Sequence, residues 1–223
     1  MRGVFVTGTD TGVGKTVVAC ALIHALRAKG VAAHPFKPIA AGAVERDGMW
    51  MNEDTQALIA AAGLDPSAAA RVTPVLLREA MAPHIAATRE HRAITLDPVR
   101  AAFAELDDRF VVAEGVGGFL VPLGKDLDAV DLARALGLPV VLVVGMRLGC
   151  LNHALLTARA IAAADLPLAG WIANAIDPDM LVADENLAAL EARLDAPLLG
   201  RLPHRERPDP RSLAAFLDVA RIA

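Results

Sequence analysis

Lys15 and Thr16 end the run Gly8-Thr9-Asp10-Thr11-Gly12-Val13-Gly14-Lys15-Thr16, and these residue types in this order suit the holding of phosphate. Glycines let backbone N–H groups turn inward, and a following helix adds the positive end of its dipole. The lysine ammonium is a compact charge, and the threonine hydroxyl is a hard oxygen for Mg2+. The run stands between the apolar Val4-Phe5-Val6 and a helix-like stretch over residues 17–29. That strand-before, helix-after context is what a nucleoside triphosphate cradle requires, and a simple left-handed turn needs neither flank. Five residues separate Gly8 from Gly14, one more than in the usual phosphate loop, which marks a subclass.

Further residues able to do chemistry stand at the ends of apolar runs. Glu114-Gly115-Val116-Gly117-Gly118 follows Phe110-Val111-Val112-Ala113, which puts a carboxylate at a strand tip with a glycine turn after it, an arrangement that fits a Mg2+ ligand. Asp54 is the candidate for a third oxygen beside Thr16 and Glu114. It reads equally as a carboxylate facing the dipole of a helix over residues 55–62. Lys37 lies in the apolar Phe36-Lys37-Pro38-Ile39, where an ammonium is costly without an anion, although a lysine snorkelling from a strand end is the alternative. Asn174 ends Trp171-Ile172-Ala173 and is either a turn residue or a reader of a base edge. The six histidines, scattered from His24 to His204, form no i, i+4 pair and no cluster with cysteine, so no zinc site is indicated. No nucleophile elbow is present.

The elements that must position these groups are short apolar runs over residues 4–7, 35–39, 110–114, 140–144, 169–174 and 198–202, alternating with longer stretches of helical period. Gly30 and Gly137 are expected as helix stops, and Asp97-Pro98 as an N-cap followed by proline at the first helical position. The pattern predicts an α/β fold of the P-loop NTPase type in a single domain over residues 1–223. Its sheet is expected to be mostly parallel, of about seven strands, with helices on both faces and ligands at the carboxyl ends of the strands.

A formal net charge of −4 and the absence of any Lys or Arg block argue against nucleic acid as a partner. Only Cys20 and Cys150 are present, too few for a disulfide framework and consistent with a reducing compartment. The chain enters its first strand at once, and no apolar stretch reaches the ~20 residues needed to span a bilayer. The expected location is the cytoplasm.

Residues 6–16, Phe36-Lys37-Pro38-Ile39-Ala40, Asp54, Glu114-Gly115-Val116-Gly117-Gly118, Gly149-Cys150-Leu151-Asn152-His153 and Gly170-Trp171-Ile172-Ala173-Asn174 together resemble the ATP-dependent dethiobiotin synthetases. The resemblance runs to about Pro203 and includes Ala82-Pro83-His84 and Pro197-Leu198-Leu199-Gly200. It implies a cyclo-ligase of biotin biosynthesis that joins 7,8-diaminononanoate and CO2 (or bicarbonate) at the expense of ATP. Lys37 and Lys15 would stabilise carbamate and phosphoryl charge, and Thr16, Asp54 and Glu114 would hold Mg2+. The nucleotide would lie on Gly12, Val13, Gly14, Lys15, Thr16, Val17, Asp54, Glu114, Gly115, Val116 and Gly117, with Asn174, Ala175, Pro203, His204 and Arg205 around the base. Substrate would meet Thr11, Lys37 and Ala41, with its carboxylate on Gly149, Cys150, Leu151 and Asn152 of a neighbouring subunit, which implies a homodimer. Two positions depart from the family pattern: Gly12 stands where a glutamate is common, and Ala41 where a hydroxyl residue is usual. The competing reading is a Mg-ATP switch of the partitioning type, which shares the fold. Such a loop should carry a lysine just before its glycines, where this chain has Asp10.

Overall fold

The computed structural model of the protein describes residues 2–46 and 48–223. Strand β1 (Arg2–Gly8) leads into α1 (Lys15–Ala28) and β2 (Ala33–Phe36). There follow β3 (Ile39–Ala41), β4 (Ala43–Arg46), β5 (Met49–Asn52), α2 (Glu53–Ala62), α3 (Ala69–Val72), β6 (Val75–Leu77), α4 (Pro83–Arg89) and α5 (Asp97–Ala104). The second half alternates through β7 (Phe110–Glu114), α6 (Ala129–Leu136), β8 (Val140–Met146), α7 (Cys150–Ala163), β9 (Leu168–Ala175), α8 (Ala183–Glu191) and β10 (Leu198–Leu202), then reaches the short α9 (Pro210–Leu213).

The main sheet runs β10-β9-β8-β1-β7-β2, with every neighbouring pair parallel. It holds six strands among the described residues, close to the expected seven. The apolar run over residues 35–39 does not continue as one strand. Pro38 has no N–H to give a ladder, and the Lys37 N–H donates to Val72 O at 2.8 Å. Past this break, β3 pairs with β6 in a separate two-stranded sheet, while β4 and β5 form an antiparallel pair.

Both faces of the main sheet are covered, which explains the unbroken apolar runs. Val4, Val6, Phe110, Val112, Val141 and Val143 turn to one face and pack on α1, α2 and α9. Phe5, Val111, Ala113 and Val140 turn to the other, against α4, α5 and α6. Leu142, Val144, Trp171 and Ala173 extend that face under α7 and α8. Helix α1 lies deep in the first layer: Leu22, Ile23 and Leu26 are fully buried, each stabilising the fold by about 1.5–3 kcal/mol.

Gly137 ends α6 in the left-handed conformation, and Gly30, also left-handed, follows the last turn of α1. The Asp97 expectation is off by one: the N-cap is Leu96, and Asp97-Pro98 are the first two residues of α5, with no side-chain cap. Asp97 faces the helix dipole instead of bonding the open N–H groups. No helix among the described residues is long and apolar enough to cross a membrane. From β1 the chain lays β2 and then β7 on one side, and afterwards β8, β9 and β10 on the other. This reversal sets the phosphate loop at the switch point of the sheet.

Candidate active site

Parallel register brings the ionisable residues together. Val6 lies opposite Glu114 and Phe36 opposite Ala113, so Lys37, one step past β2, comes beside the last residue of β7. Lys37 Nζ donates to Glu114 Oε1 at 2.6 Å and to Gly115 O at 3.1 Å, and pairs with Asp54 Oδ2 at 3.0 Å. Thr16 Oγ1 stands 2.8 Å from both Asp54 Oδ1 and Glu114 Oε1. Asp54 is held in the first turn of α2, where the N-cap Asn52 accepts from the N–H groups of Asp54 and Thr55. The Asn52 amide donates in turn to Ala41 O and Gly42 O. Asp54 therefore stands in the first turn of α2, as its helix-dipole reading has it, and also within the charged cluster beside Thr16 and Lys37.

Two carboxylates share one lysine, and their proton affinities diverge. Lys37 is 2% exposed and Glu114 1%. Burial works against the Lys37 charge, but Glu114 and Asp54 outweigh it and hold the ammonium more firmly than usual. Burial likewise opposes the Asp54 charge, yet Lys37 and the Thr16 hydroxyl bring Asp54 below the ordinary carboxylate range. Glu114 goes the other way: complete burial, with the Asp54 charge alongside, pushes it up in spite of Lys37. Its Oε2 is buried with no hydrogen-bond partner. Lys15 falls to about 8 because of burial, with Lys37 repelling it and Glu114 partly compensating. Both lysines are arranged for anions.

The orphaned Glu114 oxygen tests the fit of a divalent cation. Thr16, Asp54 and Glu114 offer hard oxygens at one point, and Glu114 keeps Oε2 unpaired although Lys37 holds Oε1. That donor set suits Mg2+, which takes a few oxygens and keeps waters or phosphate oxygens for the rest. Three His, Cys, Asp or Glu groups do not gather anywhere among the described residues, so a cation here would depend on the threonine and on ligand oxygens.

These groups open into a cavity of about 710 Å³. Its polar side carries Thr11, Gly12, Gly14, Lys15, Thr16, Lys37, Asp54, Glu114 and Gly117, and Val17 also lines it. An apolar wall of Ala40, Ala41, Met81, Pro83, Val116 and Val121 faces them. Val13 is buried and does not line the cavity, while Gly115 reaches the cluster through its carbonyl.

Two expected groups lie outside it. Asn174, near the end of β9, donates to Val13 O at 2.9 Å. A Cβ on Gly14, whose φ is +89°, would come within 2.3 Å of the Asn174 amide nitrogen, so only glycine lets the loop and this side chain meet. Ala175 O is 3.2 Å from His204 Nδ1, and the exposed Arg205 donates to His204 O. Pro203 follows β10 and directly precedes His204. Gly149 caps α7 with φ 95°. Cys150 behind it is buried, and Leu151 and Asn152 continue the first turn. None of these four lines the cavity.

Sequence reasoning missed Asn52, although Asn before Glu53-Asp54-Thr55 has the residue type of a helix cap. It also missed Arg147, whose partner Asp10 is 137 residues away, and the wall residues Met81 and Val121, which carry no polar signal.

A family model described as an AAA domain matches residues 2–212. A protein of Aromatoleum aromaticum named ATP-dependent dethiobiotin synthetase BioD is 57% identical over 220 residues, covering 97% of this chain and 96% of its own. The chain belongs to the dethiobiotin synthetase family. A second relative of the same name, from Nitrosospira multiformis, is 53% identical over 223 residues, covering 99% and 96%. Among solved structures, the septum site-determining protein MinD complexed with Mg-ADP from Pyrococcus horikoshii OT3 has a TM-score of 0.53 at 18% identity, covering 99% of this chain and 88% of that one. The signal recognition particle receptor FtsY from Elizabethkingia anophelis in complex with GDP reaches 0.55 at 14%, and the chain spans 63% of its length. At such identities the likeness is one of fold alone.

Proposed function

We propose that this chain, acting as one domain over residues 1–223 in the cytoplasm, closes the ureido ring of dethiobiotin from 7,8-diaminononanoate, CO2 and ATP. One amine of the substrate captures CO2 as a carbamate. A carbamate oxygen takes the γ-phosphoryl group from ATP, releasing ADP. The second amine then attacks the carbamoyl carbon of the mixed anhydride and phosphate leaves. Such chemistry needs alignment and charge compensation more than a protein nucleophile.

The observation that carries this reading is the buried Lys37 ammonium set between Asp54 and Glu114 at the rim of the cavity that Lys15 also enters. All three Lys37 donors are engaged, on Asp54, Glu114 and Gly115 O, so Lys37 acts as a fixed positive charge facing the carbamate and the transferring phosphoryl. Lys15 does the same for the outer phosphates. Thr16, Asp54 and Glu114 would hold Mg2+, which neutralises phosphate charge when bound. The wall of Ala40, Ala41, Met81 and Val121 suits the aliphatic chain of the substrate. Its carboxylate is assigned to the first turn of α7 in a second copy, on Gly149, Cys150, Leu151 and Asn152, because a helix N-terminus favours an anion. Asn174, Ala175, Pro203, His204 and Arg205 are assigned to the base.

The test is whether ADP release by the purified protein requires diaminononanoate together with bicarbonate. Dependence on both is expected. ADP release indifferent to both would instead support the switch reading, which the fold alone does not favour.

A further inference from the structure

Asp10 and Arg147 join the phosphate loop to the turn before α7, which the proposed reaction assigns to the substrate of a neighbouring copy. Arg147 NH2 donates to Asp10 Oδ2 at 2.7 Å, with both side chains about half exposed. The other Asp10 oxygen accepts from the Thr11 N–H at 2.7 Å, and the Asp10 carbonyl accepts from Lys15 Nζ at 2.9 Å. Asp10 thus holds three parts at once: the turn of the phosphate loop, the lysine that serves phosphates, and Arg147. On the other side, Arg147 directly follows β8, and its carbonyl accepts from the Cys150 N–H at 3.0 Å. That bond closes the turn which sets Gly149 and the first turn of α7. The path from Lys15 Nζ to the start of α7 therefore runs through one residue pair with no gap.

We propose that Asp10 and Arg147 are positioning residues, a strap through which nucleotide in the phosphate loop sets the N-terminal turn of α7. Phosphates entering the cradle draw Lys15 Nζ away from the Asp10 carbonyl. The peptide at Asp10 then adjusts, and its carboxylate carries Arg147 and the turn of residues 147–150 with it. Coupling of this kind needs a contiguous element with two arrangements that both sites bias, and Lys15 on or off Asp10 O supplies them. Its effect on substrate rests on the reading that the α7 turn holds the substrate carboxylate in a neighbouring copy. Nucleotide would then tune substrate binding in the partner.

Hydrogen exchange over residues 147–153, with and without Mg-ADP, tests the strap in the wild type, Asp10→Asn, Arg147→Gln and the double variant. Asn keeps the acceptor for the Thr11 N–H and loses the ion pair, so the loop retains its turn. In the wild type, saturating Mg-ADP is expected to slow exchange in this segment at least about threefold. Both single variants should lose that response, the double variant should lose no more, and Arg147→Lys should restore part of it. The KM for diaminononanoate should rise about threefold to fivefold in each single variant, the range of a half-exposed ion pair, with kcat nearly unchanged. No Mg-ADP response in the wild type, or one that survives in either single variant, overturns the proposal. Because the exchange measurement uses only Mg-ADP, it decides the strap even if ring closure fails its own test. A KM unchanged beside a lost exchange response would overturn the link to substrate.

Discussion

The site has two halves built in opposite ways. Around Lys37 the chain supplies the charges itself: an ammonium, two carboxylates and a threonine hydroxyl linked by contacts of 2.6–3.0 Å, with Lys37 and Glu114 out of water and Asp54 and Thr16 partly open to the cavity. At the start of α7 it supplies a helix end whose neighbours are exposed, with Leu148 93% and Leu156 55% accessible, and which reaches no cavity of its own chain that holds the charged cluster. The charge-handling groups gather within one copy, whereas the proposed seat of the substrate carboxylate would need a second. Dense buried charge must be satisfied internally, or burial would discharge it. An anion at a helix end needs only backbone N–H groups, which any docked copy can present.

Lys37→Ala should break the internal half most severely. We expect kcat for ring closure to fall at least about 100-fold, the size of losing one oriented charge-stabilising group, while ATP binding measured by calorimetry stays within a few fold. Turnover near the wild-type rate would remove Lys37 from catalysis. Lys37→Arg should not restore activity, since a planar fork cannot replace a compact ammonium in this space.

Next in size, Glu114→Gln and Asp54→Asn should raise the Mg2+ concentration for half-maximal rate at least about tenfold, a neutral amide being a poorer ligand for a hard cation. A Mg2+ titration unchanged by Asp54→Asn would leave that residue as the dipole carboxylate of α2 alone.

For the external half, dilution is the sharper tool. Specific activity should fall as the protein is diluted through its dimer dissociation constant, and sedimentation at the same concentrations should show the dimer disappearing in step. A fully active monomer would contradict the second-copy assignment. Ala41→Ser probes the internal half gently. One restored hydrogen bond is worth about 0.5–1.5 kcal/mol, so affinity for substrate or phosphate should gain at most about tenfold, and a large loss in kcat/KM would mean the pocket is built around the methyl group.

The two cysteines give the smallest and most direct contrast. Cys20, in the middle of α1, is pushed up to about 12, chiefly by burial, whereas Cys150 sits in the first turn of α7. Both are buried, so labelling by a thiol reagent at pH 8 must wait for opening. Cys150 should label faster than Cys20, because a helix end opens at lower free energy than a core helix. Equal rates would mean that the two halves open together.

Much of the internal half was legible in the sequence because its residues stand at strand ends, where apolar runs stop and register does the rest. Glu114 and Lys37 were found this way, and the doubly covered parallel sheet followed from the unbroken apolar runs. Pro38 split one run that hydrophobicity alone reads as continuous. Asp54 could not be resolved between its readings, because the helix that presents it and the Lys37 it meets both depend on Asn52 and on the fold between residues 37 and 54. The Asp10–Arg147 contact was illegible for a plainer reason: pairing across adjacent strands leaves no local trace. The apolar wall was hidden as well, since Met81 and Val121 differ in no way from core residues until the cavity is seen.

Isotope transfer follows the step at which a carbamate oxygen takes the phosphoryl group while the chain compensates charge. Diaminononanoate, ATP and enzyme are mixed with C18O2 in unlabelled water, at times short against exchange of CO2 with solvent, and the phosphate released is analysed by mass spectrometry. The bridging oxygen of the mixed anhydride comes from CO2 and leaves with phosphorus, so one 18O is expected in each phosphate and one in the ring carbonyl. Unlabelled phosphate beside labelled ring product would contradict it, because the phosphoryl group would then never have rested on the carbamate.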